Sequence, residues 1–146
     1  MDAIKTILVF VINSTWGCIQ SSIGLILFIY FINKPHYRYK GSIITTNATP
    51  RLVQFKGAVS LGVFIFSTRD IEKDHLYESY TAKHEYGHCL QSVLLGPLYL
   101  LVIGIPSMTW CLFFRNWRIK HDKCYSWLYT ESWADKWGKA SVCEAK

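Results

Sequence analysis

Two long apolar segments restrict what this chain can fold into more than any other feature of its sequence. The first covers residues 4–32, IKTILVFVINSTWGCIQSSIGLILFIYFI, and the second covers residues 97–114, PLYLLVIGIPSMTWCLFF. A helix of about 20 apolar residues crosses the hydrocarbon core of a bilayer. The sequence therefore predicts a small integral membrane protein with transmembrane or re-entrant helices.

Residues 4–32 are predicted to be a retained membrane anchor. Their first apolar run, residues 7–12, is short, and no small-x-small pattern follows it, which disfavours a cleaved signal peptide. The middle of the segment, NSTWGCIQSS, is polar, so two forms stay open: one kinked crossing, or two half-helices that turn back near Gly17. Asn13 and Gln20 are interpreted as polar contacts between helices.

The charge and the cysteines exclude several other classes of protein. The net charge is +6, but the Lys and Arg residues are spread among apolar segments, which disfavours a nucleic-acid partner. Basic loops beside lipid-facing helices explain the charge better. The five cysteines form no C-x-x-C pair, so they predict reduced thiols and no disulfide framework or Cys-type zinc site.

The middle of the chain changes to strand and turn chemistry. Residues 42–68 are rich in β-branched and aromatic side chains and lie among Gly41, Pro50 and Gly57, which predicts a small β segment. Its best single strand is AVSLGVFIF, residues 58–66. Such a strand either covers the core or forms an exposed edge that holds an extended peptide by main-chain hydrogen bonds.

The string HEYGH carries the clearest chemical pattern in the chain. A helix is predicted over residues 74–95, with Asp74 or Ser79 at its start and Gly96-Pro97 at its end. The i, i+4 spacing then places His84 and His88 on one face, where both imidazoles can bind a zinc ion. Glu85 lies beside them and is predicted to take a proton from a zinc-bound water. The alternative is that both histidines are ordinary polar residues of a helix surface.

A catalytic zinc normally has three protein ligands, so a third donor is required. A second helix predicted over residues 125–140 offers Glu131, with Asp135 one turn later on the same side. Glu131 is interpreted as the third ligand, and Asp135 as the acceptor for the second nitrogen of a histidine, His84 being favoured. A solvated acidic face is the alternative. Four small residues recur every four positions and favour close helix packing: Ser126, Thr130, Ala134 and Gly138.

Other donors stay open at this point. His75, His121, Asp122 and Cys124 carry suitable atoms, although their spacing follows no known ligand pattern. His121, Tyr125 or Tyr129 is a candidate for stabilising an oxyanion, and the sequence does not choose among them.

HEYGH on one helix and ESWAD on a later one resemble the gluzincin clan of zinc peptidases. The membrane-embedded branch, which includes the CAAX-processing zinc proteases, is the closer comparison. The resemblance implies one Zn²⁺ per chain, held by His84, His88 and Glu131, with Glu85 as general base and Asp135 supporting a histidine. It also implies an edge strand that binds substrate before the motif helix. We assign Ser60, Leu61, Gly62 and Val63 to that role.

Taken together, the sequence predicts one α+β domain over residues 1–146, in which the HExxH helix packs on the glutamate-bearing helix. The predicted function is a zinc endopeptidase that acts on peptides or membrane proteins at the bilayer surface. A non-catalytic metal-binding module and a zinc hydrolase of lipids or other amides are the alternatives. Basic loops after both apolar segments predict an inner-membrane protein whose active site faces the cytoplasm.

Overall fold

Helices and one small mixed sheet share the chain, which confirms the predicted α+β class. The computed structural model describes residues 3–49, 57–71 and 79–140. Its α-helices are α1 Ala3–Thr15, α2 Cys18–Tyr30, α3 Tyr80–Leu95, α4 Ile105–Phe113, α5 Arg115–Lys120 and α6 Tyr129–Gly138. Its strands are β1 His36–Tyr39, β2 Ser42–Thr45, β3 Ala58–Leu61 and β4 Phe64–Ser67.

The first apolar segment forms two helices instead of one straight helix. α1 and α2 are bent by 94° at the break around Trp16 and Gly17. Just before it, the Ser14 and Thr15 hydroxyls donate to main-chain carbonyls one turn back, and such bonds often bend helices. Among the described residues no single helix is long and apolar enough to cross a membrane, whereas this bent pair passes that test by length and composition.

Polar side chains fasten the bent pair to α3. Asn13 Nδ2 donates to the Cys89 carbonyl at 3.2 Å, and Gln20 Nε2 donates to Ser92 Oγ at 2.7 Å and to the Gly96 carbonyl at 3.0 Å. Both side chains are fully buried. This confirms the interpretation of Asn13 and Gln20 as contacts between helices.

The sheet has the strand order β1-β2-β4-β3, so β3 is an edge strand. β2 and β4 are parallel, and the other two pairs are antiparallel. The prediction of one strand over residues 58–66 is wrong, because the chain turns at Gly62 and Val63 and returns as β4. Gly62 has φ +63°, and a Cβ there would lie 1.9 Å from Ser21 Oγ, so glycine permits both the turn and the contact with α2.

The motif helix α3 begins after Ser79, whose side chain accepts a hydrogen bond from the Ala82 N–H. The alternative start at Asp74 lies outside the described residues. α3 ends at Gly96, which has φ +52°, as the Gly-Pro pair predicts. The predicted segment 97–114 is a series of short helical pieces: a 3₁₀ turn Gly96–Leu98, a π-helix Leu100–Gly104 and α4.

The helix that carries Glu131 is shorter than the predicted 125–140. Tyr125–Trp127 form a separate 3₁₀ turn, and α6 begins at Tyr129 because Leu128 has an extended backbone. α6 ends at Gly138, and Lys139 follows with a left-handed backbone. α3 lies between this helix and the sheet, and its buried face therefore contacts both.

Candidate metal centre

The small residues of α6 let its backbone approach α3 closely. A Cβ on Gly87 would lie 2.0 Å from the Ala134 carbonyl oxygen, and one on Gly138 would lie 1.8 Å from the Lys83 carbonyl oxygen. Thr130 and Ala134 are fully buried in the same contact. Three of the four predicted small residues, Thr130, Ala134 and Gly138, therefore pack against the motif helix, and this contact brings Glu131 to the two histidines. The fourth, Ser126, lies in the turn before α6.

Three potential ligand atoms converge between these helices. Glu131 Oε2 lies 3.1 Å from His84 Nε2 and 3.6 Å from His88 Nε2. Glu131 is fully buried, and each histidine is only 5% exposed. The three ligand atoms all lie within 4.8 Å of one another, so His84, His88 and Glu131 form a buried group that could hold a metal ion.

The second nitrogen of each imidazole has its own acceptor. His84 Nδ1 donates to Asp135 Oδ1 at 2.7 Å, as predicted, and His88 Nδ1 donates to Gln91 Oε1 at 2.7 Å. Gln91 in turn donates from Nε2 to the Thr130 carbonyl at 2.9 Å. Because each Nδ1 donates to its own acceptor, Nε2 is the ring nitrogen that faces the shared space beside Glu131.

Asp135 is itself held in place by two hydroxyl groups. Tyr80 Oη donates to Oδ1 at 2.8 Å, and Ser126 Oγ donates to Oδ2. Burial opposes the ionisation of Asp135, but its hydrogen bonds with His84, Ser126 and Tyr80 lower its pKa below the usual range. The carboxylate can therefore hold the His84 ring in one orientation.

The spacing and the donor types fit a tetrahedral metal. Two atoms that each lie about 2.1 Å from a tetrahedral zinc are about 3.4 Å apart, close to the observed 3.1 and 3.6 Å. Two imidazoles and one carboxylate match the donors of hydrolytic zinc sites. The ring nitrogens away from the centre are already bonded, as metal-binding histidines usually require.

Electrostatics shows how strongly these groups interact without a metal. Burial lowers the pKa of His84, but the hydrogen bonds to Asp135 and Glu131 outweigh it and raise this pKa to about 10. Burial also opposes the ionisation of Glu131, yet the hydrogen bonds from His84 and His88 hold its pKa well below the usual range. The His84 imidazolium and the Glu131 carboxylate therefore stabilise each other's charge.

Glu85 differs from the other acids because one of its oxygens is unused. It is 5% exposed, and its Oε2 has no hydrogen-bond partner in the described part of the chain. Burial raises the pKa of Glu85, which makes it a stronger base than an exposed glutamate. The positive charges of His88 and His84 limit that rise.

Two hollows of about 340 and 350 Å³ meet at Glu85. Ala58, Cys111 and Tyr125 also line both. Beyond Glu85, the first hollow is bounded by α4 and its preceding π-helix, through apolar residues such as Leu100 and Met108. The second is bounded by the cations Arg69, Arg115 and Arg118.

The edge strand β3 lies along the first hollow. Ser60 and Leu61, two of the predicted substrate-binding residues, line it together with Ala58 and Val59. Gly62 and Val63 do not line it, because they form the turn to β4, where the Val63 N–H donates to Ser21 Oγ at 3.3 Å. The residues that border the site are therefore 58–61, two positions earlier in the chain than the predicted 60–63.

The remaining candidate residues differ in whether they lie beside the candidate metal centre. His121 is exposed and stacks on Trp117 with ring centroids 4.3 Å apart, and Tyr129 Oη donates to the Val102 carbonyl. Tyr125 borders both hollows, with its ring centroid 6.0 Å from that of His84. His75 lies outside the described residues. Sequence reasoning missed Gln91, although its i+3 spacing from His88 was a usable signal.

Comparison of the chain with family models, with curated proteins and with solved structures finds no match.

Proposed function

We propose that this chain is a gluzincin-type zinc endopeptidase that hydrolyses peptide bonds at or near a membrane surface. One observation carries the proposal: two histidine nitrogens converge on a buried Glu131 oxygen, while the neighbouring Glu85 has a free buried oxygen at the meeting point of two hollows. A site for metal binding alone has no need of that base.

The chain's own residues supply the remaining chemistry. His84, His88 and Glu131 would hold Zn²⁺, which supplies Lewis acidity to polarise a carbonyl and acidify water. Glu85 takes the proton of the attacking water and passes it to the leaving amine. β3 accepts the substrate backbone as an added strand, and Tyr125 donates its hydroxyl proton toward the carbonyl oxygen.

Apolar surface supports a location in the membrane. Large apolar side chains on α1, α2 and the α4 region are about half exposed or more, among them Ile4, Ile7, Ile26, Ile29, Leu101, Ile105 and Phe113. Monomeric soluble proteins rarely expose contiguous apolar patches of more than a few hundred Å². In this proposal these helices lie in the inner membrane, and the metal centre faces the cytoplasm.

Glu85→Gln is the decisive variant. We expect it to keep about one zinc per chain and to lose about a hundredfold or more of peptide turnover, because only the proton acceptor is removed. Metal content is measured on the purified protein, and turnover is measured on a library of peptides. Glu131→Ala is the matched control, which should lose zinc as well.

The same assay separates the alternatives. A wild type without zinc would overturn the site, and a Glu85→Gln variant with full turnover would overturn the role of the base. If the protein binds zinc and hydrolyses lipid amides but no peptide, it is a zinc hydrolase of another substrate. If it binds zinc and hydrolyses neither, it is a non-catalytic metal-binding module.

A further inference from the structure

A separate hollow of about 760 Å³ lies between α1 and the β1–β2 hairpin. None of the described residues that line it is a His, Cys, Asp or Glu, and it is larger than either hollow beside Glu85. The proposed peptidase function does not account for it.

The walls of this hollow differ in chemistry. Arg38 and Lys40 lie on the hairpin side, whereas Ile7 and Phe10 lie on the α1 side, where they are 61% and 46% exposed. Ile43 adds apolar surface. A ligand that fits these walls has an anionic group and an apolar chain.

The two cations have no carboxylate partner within the described residues. Burial lowers the pKa of Lys40, and the positive charges of Lys83 and Lys139 lower it further. The Lys40 ammonium group also lies 5.1 Å from the Tyr39 ring centroid and 5.2 Å from that of Tyr86. The Lys40 ammonium group therefore lies near other cations and against two aromatic rings, where a bound anion would stabilise its charge.

The hairpin turn is pressed against α1, which gives the hollow a defined shape. Lys40 and Gly41 both have positive φ, +47° and +85°. A Cβ on Gly41 would lie 2.4 Å from the Thr6 carbonyl oxygen, so only glycine allows this contact. The distance between the basic hairpin and the apolar face of α1 is therefore set by the backbone.

We propose that this hollow binds an anionic phospholipid, with its phosphate between Arg38 and Lys40 and an acyl chain along Ile7 and Phe10. Its volume is within the usual range for ligand sites, about 300–1,000 Å³. Basic pockets beside membrane helices are known to bind anionic head groups on the cytoplasmic side. This proposal does not depend on the metal centre, although it shares the membrane location.

Native mass spectrometry of the full chain in detergent micelles tests the site. We expect phosphatidylglycerol to bind at least about tenfold more tightly than phosphatidylcholine of the same chain length. The double variant Arg38→Gln, Lys40→Gln should remove that preference. The control Lys34→Gln, Lys120→Gln removes the same charge from exposed positions that do not line the hollow and should keep it.

Three outcomes would overturn the proposal. Equal binding of both lipids would mean that only apolar contact operates, and equal losses in the two double variants would mean that only net charge matters. Inorganic phosphate that competes as well as the lipid would show a simple anion site. Circular dichroism and thermal unfolding of both double variants show that they fold, and this control does not depend on zinc binding.

Discussion

The two imidazoles of the candidate centre differ in what their second nitrogen contacts. His84 donates to the Asp135 carboxylate, and His88 donates to the Gln91 amide. A negatively charged carboxylate stabilises the protonated form of a neighbouring imidazole far better than a neutral amide does. Consistently, the pKa of His84 is raised to about 10. His84 therefore determines how metal binding responds to pH.

Zinc affinity should rise with pH. A raised pKa means that His84 stays protonated at every pH below about 10, so the metal must displace this proton throughout that range. We expect about a tenfold gain in affinity per pH unit between about pH 6 and 9, levelling off near pH 10. Competition with a chelator across this range measures it.

Asp135→Asn is the control for that pH dependence. It keeps the shape of the side chain but removes the charge, so the pKa of His84 should fall and the affinity should level off at a lower pH. An unchanged profile would show that another group carries the displaced proton.

Gln91 orients His88 and should matter for the metal although it is not a ligand. We expect Gln91→Leu to weaken zinc binding about tenfold or more, because the His88 Nδ1–H loses its acceptor. Gln91→Glu keeps an acceptor and should retain more affinity. If chelator competition gives equal affinities for both variants and the wild type, the orienting role is wrong.

At the scale of helices, the centre depends on the contact between α3 and α6. The candidate ligands come from both helices, so the separation of α3 and α6 sets the distances from the two histidines to Glu131 Oε2. Gly87 and Gly138 allow main-chain atoms to touch at both ends of this contact. The predicted close packing was readable from the small residues of α6, but not which carbonyl meets which glycine.

Gly87→Ala should separate the two helices. Its Cβ would lie 2.0 Å from the Ala134 carbonyl, so we expect a loss of stability of about 3 kcal/mol and a large loss of zinc affinity. Gly104→Ala is the control, since a Cβ there meets Leu100 Cδ2 at an ordinary 3.4 Å. Thermal unfolding and metal titration compare the two. Equal effects would contradict the proposed role of the contact.

At the scale of the whole molecule, α6 packs back on α3 after the intervening residues 97–114, because Glu131 meets His84. In the proposed membrane location, the chain then returns to the side of the bilayer from which α3 starts. The turn at Gly96 and the short helical pieces after it allow this return. If residues 97–114 do not cross the bilayer, the two basic loops, residues 34–40 and 115–123, lie on one side.

Cysteine labelling tests this arrangement. We expect Lys34→Cys and Lys123→Cys to react with a membrane-impermeant maleimide from the same side of sealed vesicles, above the level of the parent chain. Vesicles of opposite orientation provide the control for sidedness. Labelling from opposite sides would show that the intervening chain crosses the bilayer once.

Several features followed from the sequence because they depend on local spacing. The i, i+4 histidines, the Gly96 helix end and the pairing of His84 with Asp135 all rest on helical periodicity and on side-chain chemistry. The hairpin in residues 58–66 did not follow, because a continuous apolar run hides a turn that only the contact of Gly62 with Ser21 reveals.

The sequence by itself determined the class of the fold, the two helices of the site and the residues that converge there. Only the tertiary structure decided the 94° bend between α1 and α2, the position of Gln91, the free oxygen of Glu85 and the hollow at Arg38 and Lys40. The physical reason is distance along the chain. Patterns report neighbours within a few turns, whereas packing between remote segments sets cavities, edges and unpaired atoms.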